Sequence, residues 1–272
     1  MSRETWSIII NLKTTLNIKI KPISLEVQGN LCTDPLEVGQ IFYQYYVNVP
    51  LEISNRLGVD VPFGFSNLTG IEPSIYLEEC YTKEVLEAFK NLKNKKSSSM
   101  DGISNMVAKS CSAQLIEPLT FIFNLSIQKE IFPTALKNTV LTPVFKKKKN
   151  EYDVKNYRPI AAISPYSKVF EKILLSKLVN LFEKHKIIST NQFGYQKNKS
   201  TLDAITSLTA KIFKAKAEKK RSLAIFLHLS KAFDCVDHSV LLSIIWKHGV
   251  RGTPHQLLES YLTNRKQCVK IN

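Results

Sequence analysis

The sequence predicts an α+β fold in which helices dominate and a small sheet forms late in the chain. Apolar residues recur at helical spacing over several long stretches, which is typical of amphipathic helices. Runs suited to strands occur after residue 138. The 272 residues, 44% of them hydrophobic, are numerous enough to bury a substantial core. The lack of repeats and of extended low-complexity tracts favours one irregular globular architecture.

The first helix is predicted to begin at Pro35, with Asp34 as its capping residue. Proline suits the first helical position, and Glu37 completes an arrangement similar to a capping box. The residues expected on its buried face are Val38, Ile41, Phe42, Tyr45, Tyr46 and Val49. A second helix is predicted from Thr82, after a stretch rich in Gly, Pro and Asn at 57–73.

Six further helices and three strands are predicted along the rest of the chain. The helices are expected at 104–114, 115–129, 166–185, 201–219, 238–249 and 253–264. Ser200 and Asp237 are expected to cap the fourth and fifth of these. The strands are expected at 139–145, 223–229 and 267–271. The middle strand is almost wholly apolar, so we expect it to be buried and to end at a polar tip that holds His228.

Charge is distributed unevenly along the chain. The formal net charge is +15, yet residues 1–81 carry 5 Lys and Arg against 9 Asp and Glu. Residues 82–272 carry 33 basic against 14 acidic residues. A polyanionic partner of this larger part would bind it through neutralisation of phosphates. A solvated, solubilising surface explains the same charge equally well, so charge alone leaves both interpretations open.

The cysteines and histidines form no metal-binding pattern. The five cysteines lie far apart without a CxxC pair, which favours a reduced intracellular protein over a disulfide scaffold or a zinc site. The five histidines also lack ligand spacing. The apolar run Ile8–Ile10 is too short to span a bilayer, and no signal-peptide cleavage pattern follows it. We therefore expect an intracellular protein, cytoplasmic or nuclear, with no metal site and no membrane contact.

The segment SLAIFLHLSKAFDCVDH, at 222–238, resembles a motif of a known polymerase family. It is similar to the first palm motif of the reverse transcriptases of non-LTR (LINE-type), jockey-like retrotransposons, which is close to FLDLSKAFDTVDH. His228 lies where that family has a metal-binding aspartate. The family uses Mg²⁺, which prefers oxygen ligands, so the resemblance implies that His228 is non-functional and that this chain holds no cofactor. It also implies that Phe233 packs under the sugar of an incoming deoxynucleotide, whereas Asp237 is better explained as a helix cap.

The segment TPVFKKKKNEYDVKNYRPIAAISPYSKVFEK, at 142–172, has the order and spacing of the family's PIFKKGD, NYRPISLLS and SKIFEKI. The resemblance implies that Lys147 and Arg158 bind the nucleotide triphosphate. The other lysines of the basic turn, expected to contact nucleic acid, are Lys146, Lys148 and Lys149. A lysine run taken alone is more often a solvated loop.

Two more segments extend the resemblance. QFGYQKNKST, at 192–201, resembles QFGFRKGRST, which implies nucleic-acid contacts for Lys197 and Lys199, while Asn198 replaces a glycine. KKSSSMDGI, at 95–103, resembles KSSGPDGI and still permits a turn at its Asp-Gly pair.

The resemblance implies the right-hand polymerase fold, with helix-rich fingers and an incomplete palm. We expect an N-terminal extension or linker at 1–78, a fingers-like region at 79–221 and the first part of a palm at 222–272, truncated before the second and third palm motifs. The expected function is a fragment of a retrotransposon RNA-directed DNA polymerase, inactive alone because the metal-binding aspartates are missing. The alternatives are a non-catalytic nucleic-acid-binding module and a decayed transposon reading frame.

The expected partners are RNA or an RNA/DNA hybrid. A truncated sheet exposes apolar surface and an unpaired edge, so we also expect a completing chain or self-association, and poor solubility.

Overall fold

The computed structural model describes residues 22–56, 70–147, 149–229 and 231–271, with the side chain of residue 54 left out. The described residues form two compact units. One unit runs up to Leu175 and resumes at Asp234, and the other is Ser176–Phe233. Within the described residues, no helix is both long enough and apolar enough to cross a membrane.

Helices supply most of the regular structure. The α-helices are α1 (Pro35–Arg56), α2 (Thr82–Lys90), α3 (Asn105–Ser110), α4 (Ser112–Gln128), α5 (Pro165–Lys184), α6 (Thr201–Ala217), α7 (His238–Lys247) and α8 (Thr253–Leu262). Short 3₁₀ helices lie at Thr134–Lys137 and Val154–Asn156.

Two small sheets accompany the helices. The strands are β1 (Leu25–Val27), β2 (Asn30–Cys32), β3 (Asn138–Phe145), β4 (Tyr157–Ile163) and β5 (Lys266–Val269). Strands β1 and β2 form an antiparallel hairpin. In the other sheet β3 is central, antiparallel to β4 and parallel to β5. The backbone N–H of Lys270 extends the second pairing by donating to Leu141 O at 2.8 Å.

Aromatic stacking forms the centre of the larger core. The ring of Phe170 in α5 stacks on Phe123 of α4, with ring centroids 4.4 Å apart, and on Phe132 at 5.2 Å. All three side chains are fully buried. Val85 and Phe89 of α2 belong to the same cluster. This core fixes α2, α4 and the first half of α5 against one another, and α8 joins them through the buried Leu257.

A smaller core joins α1 to the end of the β3–β4 hairpin. Phe42 of α1 is fully buried and meets the ring of Tyr157 edge-on, with centroids 5.0 Å apart. Phe145 packs beside Tyr157 at 5.5 Å. Asp34 caps α1, because its carboxylate accepts from the backbone N–H of Glu37 at 3.0 Å. The predicted cap and the predicted burial of Val38 and Phe42 are confirmed.

The prediction of a buried strand at 223–229 is wrong. Residues 221–229 are described, and they lie in an exposed segment that is neither helix nor strand. The apolar side chains there are 75–89% exposed at Leu223, Ile225, Phe226, Leu227 and Leu229. A strand gains stability only from a hydrogen-bonded neighbour and a covered face. No strand within the described residues pairs with this segment, so its apolar composition alone does not make it a strand.

Candidate nucleotide and nucleic-acid interface

The basic turn lies at the tip of the β3–β4 hairpin. Val144 of β3 is directly opposite Arg158 of β4, and the ladder continues with the backbone N–H of Lys146 donating to Asn156 O at 2.8 Å. Side chains alternate between the two faces of a strand, so Val144, Lys146 and Arg158 lie on one face, opposite the buried Tyr157. Arg158 is exposed on that face.

Several hydrogen bonds order the turn. The Nζ of Lys146 donates to Lys155 O at 2.9 Å, and the Asn156 side chain donates to Asn150 O at 3.0 Å. The hydroxyl of Tyr157 donates to Glu151 O at 2.7 Å. Lys147 and Lys149 remain exposed, whereas Lys148 lies outside the described residues.

A buried polar cluster in α5 contacts the chain just before β3. The Oγ of Ser167, fully buried in α5, lies 2.9 Å from Leu136 O and 3.0 Å from the Glu171 carboxylate. Burial raises the pKa of Glu171, while the Ser167 bond and the charge of Arg265 oppose that shift. The hydroxyl of Tyr261 bonds the same carboxylate, and burial raises the pKa of Tyr261 to about 12.

The neighbouring Lys168 ties α5 to α3. Its Nζ donates to the side-chain oxygen of Asn105 at 3.0 Å, and Asn105 donates to Lys93 O at 2.9 Å. Burial lowers the pKa of Lys168. In the sequence, the SKVFEK segment was notable only for its similarity to SKIFEKI. A serine, a lysine and a glutamate on one turn of an otherwise apolar helix face were the signal that could have identified these anchors.

The turn at Asp101 and Gly102 is present and holds the hairpin at its other end. Gly102 has a φ of +71°, a conformation that favours glycine, and its N–H donates to Ser99 O at 3.1 Å. The Oγ of Ser99 donates to Ala162 O in β4 at 3.1 Å. The Asp101 carboxylate accepts from the N–H of Ile103 at 3.0 Å, so this residue stabilises the turn.

The second unit holds the QFGYQKNKST loop. Lys199 donates to Thr190 O at 2.7 Å and to Gln192 O at 2.8 Å, and its Nζ lies 5.2 Å from the centroid of the Phe193 ring. Its ammonium therefore fastens the loop. Lys197 is exposed. Asn198 has a φ of +61°, a backbone conformation that asparagine tolerates better than most residues and that accounts for glycine in the resembled motif.

Phe233 and His228 also belong to the second unit, and both are exposed. The Phe233 ring is 74% exposed and meets Tyr195 edge-on, with centroids 5.6 Å apart. The roles implied for Phe233, Lys147, Arg158 and the loop lysines stay predictions.

The two aspartates after His228 differ in their surroundings. The carboxylate of Asp237 accepts from the backbone N–H groups of Ser239 at 2.8 Å and Val240 at 3.0 Å, which caps α7 as predicted. The hydroxyl of Ser239 and these N–H groups lower the pKa of Asp237. Asp234 is exposed. Among the described residues, no three His, Cys, Asp or Glu side chains are grouped in a way that could hold a metal ion.

Comparison with known proteins agrees with the motifs. Residues 145–272 match the family model described as reverse transcriptase (RNA-dependent DNA polymerase). The chain is 29% identical, over 203 residues, to the probable RNA-directed DNA polymerase from transposon BS of Drosophila melanogaster, covering 75% of this chain and 22% of that protein.

Two other Drosophila melanogaster relatives give similar values. The probable RNA-directed DNA polymerase from transposon X-element is 28% identical, covering 81% of this chain and 23% of that protein. The RNA-directed DNA polymerase from mobile element jockey is 27% identical, and the match covers 73% of this chain and 22% of that protein. The chain thus spans less than a quarter of the length of these relatives. Residues 145–272 are thus similar to reverse transcriptases, and the relatives that the chain matches are RNA-directed DNA polymerases of transposons and of the mobile element jockey.

Proposed function

We propose that this chain is the fingers-like region and first part of the palm of a retrotransposon RNA-directed DNA polymerase. In this proposal it binds RNA or an RNA/DNA hybrid, and the tip that carries Lys147 and Arg158 binds phosphates of the nucleic acid as well as those of a deoxynucleotide. The family match and the basic character of residues 82–272 support it. The observation that carries it is the β3–β4 tip, where an ordered basic turn stands beside the exposed Arg158.

Phosphate binding follows from the chemistry of this tip. A guanidinium presents a planar fork of N–H donors that matches a phosphate, and a lysine adds a compact charge. The bonds made by Asn156 and Tyr157 order the backbone of the turn, so less conformational entropy is lost when a phosphate binds. Lys147 and Arg158 are both exposed to receive such a ligand.

The proposal also holds that this chain alone does not join nucleotides. Nucleotidyl transfer in this family uses Mg²⁺, a hard cation that prefers oxygen ligands. At the aspartate position of the resembled motif the chain presents the imidazole of His228, which does not fit that ion.

The binding half of the proposal is tested with a labelled RNA/DNA hybrid and fluorescence anisotropy. Lys147→Gln combined with Arg158→Gln is expected to weaken binding at least about tenfold, because each charge-assisted contact is worth roughly 1.5–3 kcal/mol. Lys83→Gln with Lys172→Gln removes the same charge from exposed positions outside the hairpin and is the control. Equal losses for the two double variants would reject a specific role for the tip.

The catalytic half is tested by primer extension on an RNA template with Mg²⁺ or Mn²⁺. We expect no incorporation of deoxynucleotides by the purified chain. Robust incorporation that follows the protein through purification would overturn this part of the proposal, and it would leave the binding half standing.

We further propose that the exposed apolar segment 223–229 is covered by another chain, either a partner protein or a second copy of this chain. Its five large apolar side chains are each at least 75% exposed. Continuous apolar exposure of this kind favours association.

A further inference from the structure

An open cavity of about 600 Å³ lies between α1 and the edge strand β5. Its walls are formed by Tyr43, Val47, Thr139, Arg265, Lys266 and Gln267. The volume is within the range of about 300–1,000 Å³ that is usual for small-ligand sites. None of these residues belongs to the basic turn at the β3–β4 tip. We call this cavity the α1–β5 cleft.

The cleft combines an aromatic ring with two cationic groups. The Tyr43 side chain is 45% exposed, so one part of its ring is available to a ligand. Lys266 and Gln267 are exposed at the start of β5. Arg265 is oriented by Tyr261, whose ring centroid lies 4.7 Å from the guanidinium carbon and whose carbonyl accepts from Nη1 at 3.2 Å.

The cationic side chains Arg265 and Lys266 line the cleft, and their charges favour an anion. The Glu171 carboxyl provides the opposing charge and interacts with Arg265, but burial raises its pKa. Arg265 and Lys266 both line the cleft, and of the two Lys266 is the exposed one.

We propose that the α1–β5 cleft binds single-stranded nucleic acid, with one unpaired base on the Tyr43 ring and an adjacent phosphate on Arg265 and Lys266. A cationic pair alone would accept any small anion. The neighbouring aromatic ring adds a surface on which a base stacks, which is the combination used by proteins that track single strands. This inference rests on the proposed function for its choice of a nucleic acid, and it adds a contact separate from the β3–β4 tip.

Affinity for a labelled single-stranded RNA of about twelve nucleotides tests the cleft, since several nucleotides fill a typical single-strand site. Tyr43→Ala is expected to weaken binding about tenfold, because a stacked base contributes this much in similar sites. Tyr43→Phe keeps the ring and is expected to bind as the wild type does. Lys266→Gln is expected to reduce the salt dependence of binding by about 0.7 units of log K per unit of log salt.

The matched control is Tyr76→Ala, which removes a tyrosine that is 85% exposed and does not line the cleft. Thermal melting of each variant checks that the fold is kept. Photocrosslinking of the same RNA carrying 5-iodouridine is expected to label the peptide that contains Tyr43. A duplex of the same sequence is expected to bind this cleft more weakly, because its bases are already stacked.

Two results would overturn the inference. If Tyr43→Ala and Lys266→Gln bind RNA as the wild type does, while the Lys147→Gln, Arg158→Gln variant loses binding, the proposed binding at the cleft is contradicted and the proposed function stands. If the wild type does not bind RNA, or if its affinity does not change with salt concentration, both the cleft proposal and the proposed function are contradicted.

Discussion

Single residues of the matched motifs serve two physical purposes in this fold. Lys147 and Arg158 point to solvent from an ordered hairpin, which suits ligand binding. Lys199 and Asp237, from motifs of equal similarity, bond the backbone of their own segments instead. Motif identity predicted that these residues matter. Only the geometry separates charges available to a partner from charges used to hold the chain.

The N-cap of α7 gives a first prediction. Asp237→Ala is expected to lower the free energy of unfolding by about 1 kcal/mol at pH 7, because two backbone N–H groups lose their acceptor. Chemical denaturation measures the change. The exposed Asp234→Ala, three residues earlier, is expected to stay within about 0.5 kcal/mol of wild type.

The acid dependence of this cap has a definite sign. Its pKa is lowered in the fold, so its stabilisation is present above the ordinary pKa of an aspartate and is lost as the pH falls through the lowered value. If the free energy of unfolding lost in Asp237→Ala stayed constant from neutral to acid pH, the assignment of Asp237 as the helix cap would be contradicted.

Glu171 gives a prediction of opposite sign. Burial raises its pKa, so the folded chain binds more protons than the unfolded chain between the ordinary and the raised pKa, and stability falls as the pH rises through that interval. Glu171→Gln removes this fall. We expect the urea midpoint of the variant to rise relative to that of the wild type as the pH increases from acid to neutral. The exposed Glu117→Gln controls for the loss of one negative charge, and equal pH profiles for both variants would contradict the prediction.

At the scale of elements, the helices and the strands β3 and β5 were predictable from the sequence, whereas the pairing of the strands was not. The caps at Asp34, Ser200 and Asp237 are local signals, and α1, α6 and α7 begin where those signals predicted. Strand β3 was also recognisable from its composition. Its parallel pairing with β5 joins residues more than a hundred positions apart, which no local pattern specifies. The segment 223–229 failed as a predicted strand for the same reason, since a strand depends on a neighbour.

The phenylalanine stack between α4 and α5 gives an element-scale prediction. Phe123 is fully buried against Phe170, whereas Phe121, two residues earlier on the same helix, is 69% exposed. Phe123→Ala is expected to cost about 3–5 kcal/mol of unfolding free energy, through lost burial and a cavity. Phe121→Ala is expected to change it by less than about 1 kcal/mol. Similar denaturation midpoints for the two variants would mean that this core is wrongly placed.

The exposed apolar segment gives a prediction about association. Ile225→Lys with Leu227→Lys places two charges on a surface that is 76% and 89% exposed in the single chain. We expect the double variant to remain folded and to show less concentration-dependent self-association than the wild type in light scattering. A wild-type chain that stays monomeric at all concentrations would rule out self-association and leave a different protein chain as the cover.

At the scale of the whole molecule, the charge and the family match are both compatible with a nucleic-acid partner. The basic excess begins after residue 81, and the reverse transcriptase match begins at residue 145, so the match lies wholly within the basic part. Composition predicted a polyanion or a solvated surface without choosing between them. The match to a nucleic-acid polymerase family favours the first, and the proposed place of contact is the hairpin tip.

The most direct test of this account is the salt dependence of hybrid binding by the wild type and the Lys147→Gln, Arg158→Gln variant. Each lost phosphate contact reduces the slope of log K against log salt by about 0.9 units. We therefore predict a steep negative slope for the wild type and a slope shallower by about 2 units for the variant. Binding that is independent of salt, or equal slopes for both proteins, would contradict the claim that this hairpin tip binds the phosphates of a nucleic acid.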